Sequence, residues 1–424
     1  MKIAIENGHL VDPANQVDRV CSLYIDNGRI VGVGTAPPGF IANRIVDARD
    51  RLVIPGIVDL SARLGEPGFE YKADIDSESE AAVSAGITTL CCPPDTDPVI
   101  DTPAGIEFIE RRRESVDRTR IYVYAALTQG LAGEQLTEMA NLKAAGCIAV
   151  TNLGQPFRSA RVARQALEYA ASHDLTVLIY PEDTELAAGG CAHEGAVATR
   201  LGLPFVPEAA ETSAIGFFLP LIEKADVRAH FCRLSTMKGM NMIRRAKHDG
   251  LRVTADVAAH QLFLTEMDLA DFNSLCHTRP PLRSQRDRDG LRQGLTRNGI
   301  DAICSDHQPH ELDAKLAPFR ETEPGISALE TLLPLTLRLV DEGVLALSEA
   351  IALVTLRPAN ILGLPLGRLG IGDLADVVVI DTASEWECAP QGFYSKGKNS
   401  PLGGWILHGR VTHTLVEGRF VWEL

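Results

Sequence analysis

Residues 160–183, ARVARQALEYAASHDLTVLIYPED, contain a helical pattern that is followed directly by a strand pattern. The apolar face of the helix, at the i, i+4, i+5, i+8 spacing, consists of Val162, Ala166, Leu167 and Ala170. The next apolar run, from Thr176 to Tyr180, is short and ends in a proline and two carboxylates. This stretch therefore predicts a helix, then a strand, then a polar loop at the carboxyl end of the strand.

The same strand pattern occurs eight times along the chain, and longer stretches with helical spacing separate the runs. The eight runs are Leu52 to Leu60, Ile87 to Cys92, Ile121 to Ala126, Cys147 to Thr151, Thr176 to Tyr180, Val227 to Cys232, Val253 to Val257 and Ile300 to Ser305. Eight β/α units predict an α/β fold of the (β/α)8 TIM barrel type, of about the usual ~250 residues. A doubly wound open sheet is the alternative, but no glycine-rich phosphate loop follows the first strand.

The two ends of the chain have a different pattern, with short strands and tight turns. Asn27-Gly28 and Glu417-Gly418 each lie between strand-like runs, as in two-residue hairpins. Because chain termini usually lie close together, we expect residues 1–52 and 366–424 to form one small β-sandwich domain. Residues 53–365 then form the barrel.

The composition excludes several classes of protein. The 41 Lys and Arg residues against 56 Asp and Glu give a net charge of −15, which argues against nucleic-acid and anionic-membrane partners. The nine cysteines include no CxxC pair, and most lie in apolar runs, as reduced core thiols do. Neither a signal peptide nor a membrane span is evident, so we expect a folded cytoplasmic protein.

Polar motifs follow the predicted strands, where a barrel carries its active groups. In chain order they are Asp59, Glu66-Pro67-Gly68, Glu182-Asp183, Ser235-Thr236, Pro280-Pro281-Leu282-Arg283, Asp306-His307, Pro309-His310, Gly325-Ile326-Ser327 and Leu329-Glu330-Thr331. The order and spacing of these motifs resemble those of the dihydroorotase branch of the amidohydrolase superfamily. The resemblance extends over essentially the whole length of the chain. The resemblance implies a metal-dependent hydrolase barrel for cyclic amides.

At the positions where the resemblance places the family's metal ligands, this chain has other residues. These positions hold Ser61, Arg63, Leu153, Tyr180 and Arg233, and only Asp306 is retained. A lone carboxylate does not hold zinc against water, because zinc sites in proteins need about three or more protein ligands. We therefore expect no metal cofactor. Without a metal ion, the carbonyl of the substrate is not polarised and no hydroxide is formed to open the ring.

The positions that the resemblance assigns to substrate contacts have also changed. Gly65 stands in place of an arginine, Asp95 in place of an asparagine, and Arg279 in place of another asparagine. His310 and the Pro324-Gly325 loop remain at substrate-facing positions. These residues form a vestigial substrate site in this interpretation.

The new arginines suggest what replaces the metal. Arg63 and Arg233 should point into the same barrel mouth as Asp306, and we expect at least one guanidinium to pair with that carboxylate. Asp306 is then a structural residue rather than a general base. Alternatively, Arg63, Arg233 and Arg279 form a pocket for an acidic or phosphorylated effector.

The resemblance is closest to the non-catalytic dihydroorotase-like chains that accompany aspartate carbamoyltransferase in some bacteria. It implies a catalytically inactive subunit of a homo- or hetero-oligomer, needed to assemble the transferase catalytic chain in pyrimidine (UMP) biosynthesis. Two other functions remain open. One is an active cyclic amidohydrolase that works without metal through Asp306, His307 and His310. The other is a regulatory subunit that senses a small molecule.

Overall fold

Eight parallel strands surround the core in a computed structural model that describes residues 1–424. In order around the barrel they are β6 (Ile57–Asp59), β7 (Ile87–Cys92), β8 (Arg120–Ala126), β9 (Ala149–Thr151), β10 (Thr176–Ile179), β13 (Ala229–Phe231), β14 (Val253–Ala258) and β15 (Ala302–Cys304). Between β10 and β13 in the chain, the short strands β11 (Ala192–His193) and β12 (Phe205–Val206) pair only with each other. The last and first strands meet just beyond their carboxyl ends. There the amide of Arg63 donates to the carbonyl of His307, and the amide of His307 donates to the carbonyl of Ser61, both at 3.0 Å. The barrel prediction is confirmed.

Helices connect the strands and cover the outside of the barrel. They are α1 (Ile75–Ser84), α2 (Pro103–Val116), α3 (Met139–Ala144), α4 (Ala160–Ser172), α5 (Ala196–Leu201), α6 (Glu208–Ala225), α7 (Met237–His248), α8 (Gln285–Thr296), α9 (Leu329–Asp341), α10 (Leu347–Val354) and α11 (Leu356–Ile361). The helix predicted from Ala160 is α4, which Ser159 caps by accepting a hydrogen bond from the Val162 amide. Ala166, Leu167 and Ala170 are buried as the spacing predicts, whereas Val162 is only partly buried and Ala163 is buried instead. None of the helices is long and apolar enough to cross a bilayer.

Both ends of the chain contribute to a second, β-rich layer. Its strands are β1 (Lys2–Asp12), β2 (Val17–Asp26), β3 (Arg29–Val33), β4 (Arg44–Asp47), β5 (Leu52–Pro55), β16 (Val377–Glu387), β17 (Ile406–Val416) and β18 (Arg419–Glu423). Hydrogen bonds join all eight into one sheet, in which β5 lies between β1 and β16. The predicted β-rich domain built from both termini is therefore confirmed.

The two predicted hairpin turns have the expected backbone conformation. Asn27 and Gly28 have φ of 48° and 77°, and Glu417 and Gly418 have φ of 49° and 69°. Positive φ at both central residues is the geometry that matches the twist of a two-residue hairpin. The turns also meet each other, since a Cβ added to Gly418 would lie 3.0 Å from the Cα of Gly28.

The run from Leu52 to Leu60, predicted as one barrel strand, is divided between the two sheets. β5 (Leu52–Pro55) belongs to the terminal sheet and β6 (Ile57–Asp59) begins the barrel. Gly56 lies between them, where a Cβ would overlap the side chain of Thr88. The whole run is buried, so its hydrophobic pattern contains no sign of the change of sheet.

The cysteines are part of the apolar interior. All nine are free thiols and eight of them are buried. Cys91, Cys232 and Cys304 lie inside the barrel with Tyr124 and Leu178. Burial raises the pKa of the Cys91, Cys232 and Cys304 thiols, so they remain protonated and unreactive.

Candidate functional site

The carboxyl ends of the barrel strands surround a cavity of about 570 Å³. Arg63, Leu153, Tyr180 and Arg233, four of the residues at the family's metal-ligand positions, line it. Ser61 and Asp306 lie beneath, with the Ser61 hydroxyl 3.5 Å from Asp306 Oδ1. The structure therefore brings these residues together at the mouth, where strands one, four, five, six and eight end.

A buried ion pair occupies the centre of this group. Arg233 Nη1 lies 2.6 Å from Asp306 Oδ1, and the two side chains are only 9% and 3% exposed. Gln308 donates a second hydrogen bond to the same oxygen at 3.1 Å. The guanidinium also stacks 4.0 Å from the centre of the Tyr180 ring. The predicted pairing of an arginine with Asp306 is confirmed.

Arg63 lies beside this pair and divides its interactions between two carboxylates. Its Nε donates to Asp95 Oδ2 at 2.7 Å, whereas its Nη1 is 3.9 Å from Asp306 Oδ1, too far for a hydrogen bond. Arg63 Nη1 is buried and has no hydrogen-bond partner. Asp95, which stands in place of the family's asparagine, is thus neutralised in part by Arg63.

Buried hydrogen bonds hold the backbone that presents the ion pair. Arg233 and Asp306 have φ of 55° and 48°, a left-handed conformation that costs a non-glycine residue of order 1 kcal/mol. The amide of Arg233 donates to Asp256, which also bonds His230 Nε2 at 2.9 Å. Next to Asp306, the amide and hydroxyl of Ser305 both donate to the buried Asp59.

Burial raises the pKa of Asp59 to about 6, although the hydrogen bonds from Ser305 and Ser61 oppose that shift. Asp59 is completely buried, and its oxygens serve the strand ends rather than the cavity. Asp59, which stands at a family motif position, therefore supports the backbone at the end of strand eight.

The residues at the family's metal-ligand positions do not fit a zinc ion. They offer a hydroxyl, two guanidinium groups, a phenol, an alkyl side chain and one carboxylate, and that carboxylate is bonded to Arg233 and Gln308. A guanidinium is cationic and cannot act as a ligand. The Arg233 side chain lies at a position that the resemblance assigns to a metal ligand.

A second group of possible ligands lies deeper in the barrel. Single ligand atoms of His230, Cys232 and Asp256 lie within 4.8 Å of one another, and all three residues are buried. Both ring nitrogens of His230 are already bonded, one to Asp256 and the other to Thr254 Oγ1 at 2.8 Å. Asp256 in turn holds the Arg233 amide. The geometry is that of a hydrogen-bonded support for Arg233.

Of the positions predicted to contact a substrate, His310, Pro324 and Gly325 lie together. His310 Nε2 is 3.0 Å from the carbonyl oxygen of Pro324, and a Cβ on Gly325 would lie 3.1 Å from the same nitrogen. Arg279 is 58% exposed and forms a two-pronged ion pair with Glu182. All of these residues except Gly325 line the mouth cavity.

Gly65 explains why the family's arginine is not accommodated at this position. Its φ is +75°, and an added Cβ would overlap the carbonyl oxygen of Ala73. The conformation disfavours any L side chain, and the overlap is with backbone, which cannot move away cheaply. The loop that follows strand one is therefore shaped around glycine.

Replacing Gly65 with alanine should lower the free energy of unfolding by about 2 kcal/mol or more, since it adds both strain and overlap. Gly154→Ala is the matched control, because Gly154 lines the same cavity and an added Cβ meets nothing within 4 Å. Urea denaturation of the two variants compares them directly. Equal stability of the variants would show that the loop relaxes around a side chain.

His307 is not part of the cavity. It is fully buried, its Nε2 lies 2.7 Å from Glu78 Oε2, and its Nδ1 accepts a hydrogen bond from the Ala328 amide at 3.0 Å. Nε2 must therefore carry the proton that Glu78 accepts. The structure thus does not bring His307 into the cavity with His310, because both of its ring nitrogens are engaged below the site.

Two residues of the mouth were not predicted from the sequence. Lys72 lines the cavity from the loop that follows strand one, and Gln308 fixes Asp306. Gln308 could have been noticed, because it lies two residues after Asp306 at the end of strand eight. Lys72 has no such signal, since the path of a long loop is not set by any periodicity.

The fold and the site together define a barrel of the amidohydrolase type, with a polar mouth and a β domain made from both termini. A family model described as dihydro-orotase-like matches residues 50–239. A dihydroorotase-like protein of Pseudomonas aeruginosa is 47% identical over 423 residues, which cover 100% of both chains. The chain belongs to the dihydroorotase-like family.

Other comparisons agree with this assignment. A dihydroorotase-like protein of Pseudomonas putida is 46% identical over 99% of this chain and 98% of its own. A protein of Syntrophotalea carbinolica named dihydroorotase is 42% identical over 100% of both chains. The solved L-hydantoinase from Arthrobacter aurescens has the same fold, with a TM-score of 0.89, 22% identity, and coverage of 99% of this chain and 96% of that one.

Proposed function

We propose that this chain is a non-catalytic member of its family and serves as a structural subunit for the catalytic chain of aspartate carbamoyltransferase in pyrimidine biosynthesis. The observation that carries the first part is the buried ion pair between Arg233 and Asp306. It places a fixed cation where the family positions a metal ligand, and it engages Asp306, the only carboxylate retained at those positions. The zinc of the family is absent in this proposal.

Hydrolysis of a cyclic amide needs a polarised carbonyl and an activated water. In a metal site the ion supplies both, by acting as a Lewis acid and by lowering the pKa of bound water. The groups of this mouth cannot take over those tasks. Asp306 is held by Arg233 and Gln308, and burial lowers the pKa of His310 to about 3. His310 is thus neutral and donates its one N–H to the Pro324 carbonyl.

The structural role is supported by what the chain retains. The barrel and the terminal sheet are both present, and the relatives match this chain over its whole length. A chain that has lost the metal-ligand residues but keeps the fold still has the outer surface that the fold provides. That surface can bind a partner protein. The eight buried free thiols suit the reducing cytoplasm in which nucleotide biosynthesis takes place.

Co-expression with the aspartate carbamoyltransferase catalytic chain of the same organism tests the proposal. We expect the two chains to co-elute as one complex, and transferase activity to fall at least about tenfold when this chain is omitted, as in an obligate assembly. The double variant Arg233→Met, Asp306→Leu is the control, because it removes the ion pair but leaves the outer surface unchanged. It should support the transferase as well as the natural chain does. A transferase that is fully assembled and active alone would contradict the proposal.

A further inference from the structure

An aromatic cavity of about 260 Å³ lies between α9 and the terminal sheet and shares no lining residue with the mouth. Four aromatic side chains line it, namely Trp386 of β16, Trp422 of β18, and Phe393 and Tyr394 of the segment between β16 and β17. The Tyr394 and Trp422 rings meet edge to face, with their centres 4.9 Å apart. Because the face of an aromatic ring is negative, a cluster of such rings favours a cation or an apolar group.

Glu330, on the first turn of α9, lines the aromatic cavity with a carboxylate that is only half satisfied. Its Oε1 accepts a hydrogen bond from the Tyr394 amide at 2.6 Å, whereas its Oε2 is buried and has no hydrogen-bond partner. Glu330 forms no ion pair, because the nearby Lys398 donates to two backbone carbonyls instead. Glu266 and Glu311 also have one buried oxygen without a partner, but neither of them lines this cavity.

Trp422 contributes an unpaired donor to the same cavity. Its Nε1 is buried and makes no hydrogen bond, whereas Nε1 of Trp386 donates to the Gly409 carbonyl at 3.4 Å. The N–H of a buried tryptophan usually finds a partner. The aromatic cavity therefore lacks a donor for one carboxylate oxygen and an acceptor for one indole N–H.

The charges around Glu330 leave room for a cation. Glu387 and Arg410 also line the cavity, but both are exposed and of opposite sign, so water screens them and their effects offset each other. In the interior, Glu78 and Lys398 act on the Glu330 carboxyl in opposite senses. Burial raises the pKa of Glu330 to about 8, in spite of the hydrogen bonds that it accepts. A bound cation would stabilise the ionised carboxylate.

We propose that the aromatic cavity binds a primary ammonium group on a short apolar chain, as in a free alkylamine or a lysine side chain. The ammonium donates a hydrogen bond to Glu330 Oε2, and the aromatic rings surround the charge and the chain. A quaternary ammonium does not fit, because it has no N–H to donate. Tyr394 is 46% exposed, so its side chain can turn toward solvent and admit the ligand to Glu330. The site does not depend on the proposed function.

Tryptophan fluorescence of the full chain reports the binding, because Trp386 and Trp422 are two of its three tryptophans. Pentylamine and 1-pentanol have the same length and shape, but only the amine is charged. At about pH 8 we expect pentylamine to bind at least about tenfold more tightly than pentanol, because only the amine forms an ion pair with Glu330. Equal affinities, or no spectral change with pentylamine at about 10 mM, would overturn the proposal.

Two further ligands identify the source of the ammonium group and test its hydrogen bond. Nα-acetyl-lysine methylamide has carbonyl groups that can accept from Trp422 Nε1, so tighter binding than that of pentylamine supports a lysine side chain of a protein. Tighter binding of pentylamine supports a free amine. Tetramethylammonium should bind at least about tenfold more weakly than pentylamine. If it binds as tightly, Glu330 Oε2 receives no hydrogen bond from the ligand and the proposal is wrong.

Two carboxylate variants locate the site. Glu330→Gln should weaken pentylamine at least about tenfold, and it keeps an oxygen that accepts from the Tyr394 amide. Glu387→Gln is the matched control, because Glu387 is an exposed carboxylate that lines the same cavity. It should change the affinity less than about twofold. Equal effects of the two variants would contradict the proposal, since they would indicate only a general attraction of cations.

The affinity for pentylamine should also depend on pH. Below the pKa of Glu330, about 8, the free carboxyl is protonated and must lose its proton to pair with the amine, which stays charged throughout. Binding to the natural chain should therefore weaken by up to about tenfold per pH unit below that value, whereas binding to Glu330→Gln should not vary. A flat profile for the natural chain would exclude the ion pair. Because the transferase takes no part in these measurements, failure of this site and failure of the proposed function are distinguishable.

Discussion

Asp306→Asn should lower the free energy of unfolding by about 3–5 kcal/mol, because the substitution leaves a buried guanidinium without its counter-ion. Arg233 and Asp306 are both buried, and the carboxylate oxygen that contacts Arg233 also accepts from Gln308. The asparagine has the same shape but no charge. The loss is therefore electrostatic, and urea denaturation of the variant beside the natural protein measures it.

Two further variants separate the charge of this pair from other effects. Asp95→Asn removes a carboxylate that bonds Arg63, but both of those side chains are more than a quarter exposed, so the loss should be below about 1 kcal/mol. Arg233→Met combined with Asp306→Leu replaces the pair with apolar side chains of similar size. It should be within about 1 kcal/mol of the natural protein. A loss below about 1 kcal/mol for Asp306→Asn alone would show that water compensates Arg233.

Much of this architecture could be predicted because it follows from repeated local patterns. Each barrel strand is a short apolar run, and each run ends in polar residues such as Glu182 or Asp306. Parallel strands place those ends at one mouth, so the meeting of Arg233 with Asp306 could be predicted without coordinates. The division of the Leu52 to Leu60 run could not, since both of its halves are buried and differ only in which sheet they join.

The finer features of the site depend on loops and on competition between partners. Arg63 and Arg233 were equivalent candidates for Asp306, and Asp95 decides between them by bonding Arg63 Nε at 2.7 Å. Likewise the sequence gives no reason to separate His307 from His310, since the two are close along the chain. The structure separates them, since Glu78 on α1 bonds His307 below the mouth while His310 faces the cavity. The periodicity of a sequence cannot predict pairings between residues that lie far apart in the chain.

Dihydroorotate should not be turned over by this protein, with or without added zinc. Enzymes accelerate such reactions by about 10⁶-fold or more, and in a metal-dependent barrel the ion is part of that machinery. Here the retained carboxylate, Asp306, is bonded to Arg233. A zinc ion would have to displace the Arg233 side chain, and that position holds no imidazole to serve as a ligand. We therefore expect less than about 0.1 zinc per chain by elemental analysis, and a rate equal to the buffer blank.

The Syntrophotalea carbinolica relative that is named dihydroorotase is the matched control, assayed in the same buffer with the same zinc additions. Arg233→His tests the reason for the absence of activity. The variant adds one imidazole beside Asp306, which gives the site two possible zinc ligands. Zinc requires about three protein ligands, so neither metal uptake nor turnover should appear. Stoichiometric zinc in the natural chain, or turnover within about a thousandfold of the control, would show that the ion pair opens to admit a metal, and the non-catalytic function would then be wrong.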